Sequence, residues 1–138
     1  MFVYEKNKML SIREILRLIE TNDFIPVLYH GTCIENAKSL IKNGWSPRSG
    51  SMGGNMGQSK YLYLTTDPED AMWFANEKGC DTVISLHNVP KNFLIVDPED
   101  GTYDTVDEEL NSKHGFPGKV ALTKYLGSEH FKLFKGEE

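Results

Sequence analysis

No stretch of this chain approaches the roughly 20 consecutive apolar residues that a membrane-spanning helix needs, so no membrane partner is expected. Cysteine is scarce: Cys33 and Cys80 are the only two. They lie far apart, match no metal-ligand spacing, and read as buried or free thiols. Met1-Phe2-Val3-Tyr4-Glu5-Lys6 has no basic region followed by an apolar stretch, so no secretory leader is expected. Together these place the protein in a cytoplasm. Basic charge is also short. A formal net charge of −5 argues against non-specific nucleic-acid binding, which releases counterions from a basic face; a local basic patch stays open. His87, His114 and His130 share no element at ligand spacing, so no metal site is expected. The glycines from Gly50 to Gly57 lack the Lys-Ser/Thr ending of a phosphate loop and precede a strand rather than a helix.

What is present is the material of one globular domain over residues 1–138. That length, with 39% hydrophobic and 25% charged residues, can bury one core. Ser11-Ile12-Arg13-Glu14 has the capping-box pattern. Ile12, Ile15, Leu16 and Ile19 follow at helical spacing, predicting a helix over 12–20 in an N-terminal extension, 1–24. Phe24 to Tyr29 reads as a strand. Ile34, Ala37, Leu40 and Ile41 mark a second helix, stopped by Asn43-Gly44. Residues 46–60 are rich in Gly and Ser and read as a long loop, a type that is often functional. A strand over 61–65 follows. Asp67 is a good N-cap with Pro68 at the first helical position; Ala71, Met72, Phe74 and Ala75 give that helix a core face, and Gly79 ends it. Further strands are expected over 82–87, 93–96, 119–123 and 130–134, with a turn-rich acidic segment at 97–118.

Two short motifs carry chemistry. His30-Gly31-Thr32 closes the first strand. A His there can donate from one ring nitrogen and accept at the other, and a Gly beside it lets a ligand approach the backbone closely. A plain surface or core His remains the alternative. Tyr61 and Tyr63 share one face of their strand, with Leu62 and Leu64 on the other. Trp73 and Phe74 come one short helix later. Two aromatic faces with a backbone amide between them would form a slot for a planar ring, although each of these rings is as readily core.

In order, a strand with His-Gly-Thr, a helix ending in Asn-Gly, a Gly/Ser-rich loop, a strand with Tyr-Leu-Thr and a helix beginning Asp-Pro-Glu-Asp-Ala resemble the ADP-ribosyltransferase superfamily. The similarity is to the branch with a His-Tyr-Glu triad, which includes poly(ADP-ribose) polymerases and diphtheria toxin, and it spans roughly residues 26–134. The resemblance implies an α+β fold: a split, mixed β-sheet flanked by short helices, with NAD as substrate in the cleft. It implies that His30 hydrogen-bonds the adenosine ribose, within a His30-Gly31-Thr32 cofactor-binding stretch. The Gly31 backbone would hold the nicotinamide carboxamide, Tyr63 would stack on the nicotinamide with Trp73 or Phe74 behind it, and Thr65 would add a hydroxyl. Arg48 would pair with the pyrophosphate, and loop 49–59 would gate the ligand. The expected activity is transfer of ADP-ribose to a protein or nucleic-acid acceptor with release of nicotinamide.

The family's third residue is a Glu at the start of a late strand, placed to stabilise an oxocarbenium-like transition state. Here that position falls at Lys119 or Val120. Glu108 and Glu109, about ten residues earlier, are the carboxylates that could replace it. The substitution keeps two further readings open. One is a non-catalytic module that binds NAD or ADP-ribose in the same cleft. The other is an NAD-dependent RNA 2′-phosphotransferase: Val120-Ala121-Leu122-Thr123 ahead of Leu126-Gly127-Ser128-Glu129-His130-Phe131 also resembles the end of the tRNA 2′-phosphotransferases, which share the fold.

Overall fold

The computed structural model describes residues 23–47, 60–111 and 117–135. The helix expected over 12–20, Arg48, loop 49–59 and His114 lie outside them.

Strand β1, Phe24–Thr32, is longer than its apolar pattern suggested and contains His30-Gly31-Thr32 within it. The reason is its partner. Strand β3, Thr82–Pro90, pairs with it antiparallel from Phe24↔Pro90 to Thr32↔Thr82. Between these strands run helix α1, Ile34–Asn43, strand β2, Leu62–Thr65, and helix α2, Pro68–Glu77. Strand β4, Leu94–Val96, follows a 3₁₀ turn at Lys91–Phe93. A short helix α3, Val106–Leu110, strand β5, Lys119–Leu122, a 3₁₀ turn at Ser128–His130 and strand β6, Phe131–Leu133, complete the order.

The local signals explain the helix ends. Gly44 takes φ 79° and its N–H bonds the Leu40 carbonyl, closing α1 in the left-handed conformation open to glycine. The Asp67 side chain accepts from the Glu69 N–H, with Pro68 opening α2.

All six strands form one sheet in the order β4-β5-β2-β1-β3-β6, and every neighbouring pair is antiparallel. This corrects the expectation of a mixed sheet: the fold is α+β, and its chain returns allow antiparallel pairing throughout. Alternation along the strands sends Leu28, Leu62, Leu64, Ile84, Leu86, Val120 and Leu122 into one buried cluster with Ala37 and Leu40 of α1. Helix α2 covers part of the opposite face. Its backbone comes so close to β1 that a Cβ on Gly31 would collide with the Ala71 carbonyl. Ala71 and Ala75 are buried there, while Met72, expected in the core face, is exposed.

Cys33 and Cys80 form a disulfide, with Cα atoms 5.0 Å apart. Free thiols were expected from their 47-residue separation. The Thr32↔Thr82 pair at the end of the β1–β3 ladder brings the two positions together. The bridge removes the thiol-based ground for placing the chain in a reducing compartment. Among the described residues, no helix is long and apolar enough to cross a membrane.

Candidate functional site

The joint between β1 and β2 is where the expected site residues meet. These strands share a single paired position, Tyr29↔Thr65. Beyond it the His30 side chain takes over: its Nδ1–H donates to the Tyr63 main-chain carbonyl at 2.8 Å. His30 is 9% exposed. Burial lowers its pKa from 6.5 to about 4; the bond to the Tyr63 carbonyl opposes the shift and the nearby Lys78 charge adds to it. The ring is therefore neutral near pH 7. With Nδ1 donating, Nε2 carries the lone pair and is an acceptor.

His30 and Tyr63 thus touch, but ring to main chain rather than ring to ring. Tyr61 and Tyr63 share the face opposite the main core, as the alternation required, with ring centroids 6.1 Å apart. The Tyr63 phenol donates to Glu99 Oε2 at 3.4 Å. Its pKa is raised, first by burial and then by the negative charges of Glu99 and Asp97. Asp97 is the pivot of this arrangement. Its Oδ1 accepts from the N–H groups of Glu99, at 2.7 Å, and Asp100, at 2.9 Å, a side-chain turn that turns the chain after β4. The Asp97 N–H bonds the Lys119 carbonyl, so the turn is anchored to β5.

Glu99 and Asp97 were not singled out in the sequence. The signal available was Asp97-Pro98-Glu99-Asp100-Gly101, a turn directly after a strand; what it lacked was the pairing that sets β4 beside β5 and β5 beside β2, which brings the turn to Tyr63.

The two expected carboxylates are occupied elsewhere. Glu109 is 2% exposed. Its Oε1 accepts from the N–H groups of Thr102 and Tyr103, both at 2.9 Å, and its Oε2 from the Lys119 N–H at 3.0 Å. Burial pushes its pKa up, but these backbone donors and the Lys119 charge outweigh it, and the net shift is downward. Glu109 is an ionised structural brace under the start of β5. Glu108 closes the capping box of α3 with Thr105. Neither has a hydrogen bond to Tyr63 or His30.

The remaining expected ligand residues divide in the same way. Gly31 is required by the approach of α2, and its carbonyl accepts from Lys78 Nζ at 3.3 Å. Thr32 Oγ1 accepts from Asn36 Nδ2 at 2.9 Å, and Thr65 Oγ1 from the Asp67 N–H at 3.3 Å, so both hydroxyls serve the entries to α1 and α2. Trp73, 55% exposed, packs edge-on against Phe74 at 5.1 Å. The Lys119 ammonium lies 5.2 Å from the Phe74 centroid and 3.8 Å from Asp70 Oδ2. That Asp70 oxygen is buried without a hydrogen-bond partner among the described residues.

A cleft of about 430 Å³ lies elsewhere, lined by Asp23, Phe24, Pro90, Lys91, Val106 and Asp107 among others. It holds none of the expected ligand residues and is crossed by the Lys91–Asp107 ion pair at 2.7 Å.

No family model matches the chain, no curated protein is detectably similar to it, and no solved structure matches its fold.

Proposed function

We propose that this protein binds NAD on the Tyr63 face of the sheet and transfers its ADP-ribose to a protein or nucleic-acid acceptor, releasing nicotinamide. The observation that carries the reading is the Tyr63–Glu99 pair: a half-buried phenol hydrogen-bonded to an exposed carboxylate, on a strand whose main chain is held by a buried neutral His. In this reading Tyr63 stacks on the nicotinamide ring, and Trp73 and Phe74 supply apolar surface. Glu99 takes the part expected of Glu108 or Glu109. Its negative charge faces the positive charge that develops on the ribose as the bond to nicotinamide breaks. Nicotinamide leaves with the bonding electron pair. The acceptor attacks the same carbon and gives its proton to Glu99 or to water. His30, on the core face of the sheet opposite Tyr63, acts as a positioning residue through the Tyr63 carbonyl.

The test is nicotinamide release from NAD with and without a lysate as acceptor source. Glu99→Gln should lower release by about 10²–10³-fold, the usual scale for losing one electrostatic group, while NAD still raises the melting temperature. Release unaffected by Glu99→Gln removes the carboxylate from the account.

A second reading is binding without cleavage. Lys119, at the first residue of β5 with its ammonium near Phe74, favours it, because a cation there opposes an oxocarbenium and suits an anionic ligand. Stabilisation by NAD without nicotinamide release would select it.

A further inference from the structure

We propose that Cys33–Cys80 is a reversible thiol–disulfide site that controls how firmly α2 is held against the strand end carrying His30 and Gly31. Three ties join this strand end to α2 and the turn after it. The Ala71 carbonyl packs against Gly31, Lys78 Nζ donates to the Gly31 carbonyl at 3.3 Å, and the bridge links Cys33 to Cys80. The first two are a contact and a single hydrogen bond. The third is covalent and closes a loop that contains α1, β2 and α2, and therefore Tyr63.

The bridge is placed for exchange. Both cysteines are partly exposed, so a dithiol reductant can reach them. Cys33 is the N-cap of α1, a ten-residue helix, and its side chain makes no capping bond there. A thiolate at a helix N-terminus is stabilised by the unpaired N–H groups, which makes Cys33 the better leaving group. The reductant thiolate attacks Cys80 Sγ, the S–S bond breaks, and Cys33 leaves as thiolate and takes a proton. The second reductant thiol then resolves the mixed disulfide. The bridge gains two electrons and two protons and becomes two thiols; the dithiol leaves as a disulfide. The β1–β3 ladder, paired up to Thr32↔Thr82, keeps the two thiols adjacent after reduction. Reoxidation therefore needs no search through unfolded states, which separates a switch from a purely structural bridge.

The effect on ligand binding rests on the NAD reading; the switch itself does not. Under oxidised glutathione, the denatured but unreduced protein should show no titratable thiol; two titratable thiols would overturn the bridge. Reduction by a dithiol should speed amide exchange in α2 by tenfold or more and lower the melting temperature. Loop closure alone is worth about a thousand-fold in the folding equilibrium. The double variant Cys33→Ser, Cys80→Ser should match the reduced protein and ignore reductant. Equal exchange in α2 in both redox states would overturn control of α2. NAD should bind at least tenfold more tightly to the oxidised protein. Equal NAD affinity in both states would overturn the link to the site, whereas no NAD binding in either state, with α2 exchange still redox-dependent, would remove NAD and keep the switch.

Discussion

His30 sets a pH dependence that can be isolated with one substitution. In the unfolded chain its imidazole takes a proton near pH 6.5; in the fold burial holds it neutral until about pH 4. Between those values the unfolded state binds more protons, so stability rises with pH. The contribution is complete above pH 6.5 and is lost as pH falls towards 4. A shift from 6.5 to about 4, at about 1.4 kcal/mol per unit, amounts to about 3 kcal/mol. Roughly 2.5 kcal/mol of it disappears between pH 7 and 4.5, a large part of a typical domain's stability of about 5–15 kcal/mol. His30→Asn removes the titration and leaves an amide N–H to meet the Tyr63 carbonyl in place of Nδ1. Urea unfolding of both proteins at steps from pH 7 to 4.5 measures the difference directly. His87, whose pKa is also lowered by burial, contributes equally to both and cancels. The variant should lose about 2.5 kcal/mol less than the parent over this range. Parallel curves would show that the imidazole is not held neutral, and the account of the β1–β2 joint would fail with it.

Three further outcomes follow from the same geometry. Glu109→Ala should cost about 3–5 kcal/mol, since three buried backbone N–H groups lose a charged acceptor; chemical denaturation measures it. Because the Glu109 pKa is lowered in the fold, the ionisation-dependent part of its support is present above the ordinary carboxylate range and is lost as pH falls through the lowered folded value, so the stability gap between parent and variant should narrow in acid. Gly31→Ala should cost 3 kcal/mol or more, roughly the upper end for overpacking, because the atom it meets is the Ala71 main-chain carbonyl; the readout is the melting temperature. Asp67→Ala removes the side-chain cap of α2 and should cost about 1 kcal/mol, with no effect on the thiol–disulfide balance, as denaturation and thiol titration would show.

The helices were legible because their signals are local. Asn43-Gly44 and Asp67-Pro68 mark their positions by backbone preference alone, and the structure places the C-terminal end of α1 and the start of α2 there. Strand existence was legible from alternation, but strand extent was not. β1 and β3 continue past their apolar pattern because each supplies the other's hydrogen bonds, a property of the pair rather than of either segment. The same limit explains the carboxylates. Glu109 and Glu99 look alike in sequence, two acidic residues in an acidic, turn-rich stretch. Only the sheet order buries one under β5 and carries the other to Tyr63. The disulfide was missed for the same reason, since its two ends are 47 residues apart until the ladder forms. Gly31 was marked as a point where a ligand could approach the backbone; the neighbour found against it is the protein's own helix.

The single paired position between β1 and β2 has a mechanical consequence. An antiparallel sheet resists bending through its ladder bonds, and here they are spread unevenly. β3-β1 and β5-β2 are paired along most of their length, whereas Tyr29↔Thr65 is the one ladder pair between the two halves among the described residues, with the His30 imidazole bonded beside it. What holds the halves together is therefore side-chain packing more than the ladder: Leu28 from one and Leu62 and Leu64 from the other share a single cluster, so a cavity made there should loosen the joint beside Gly31 and Tyr63 more than one made within either half.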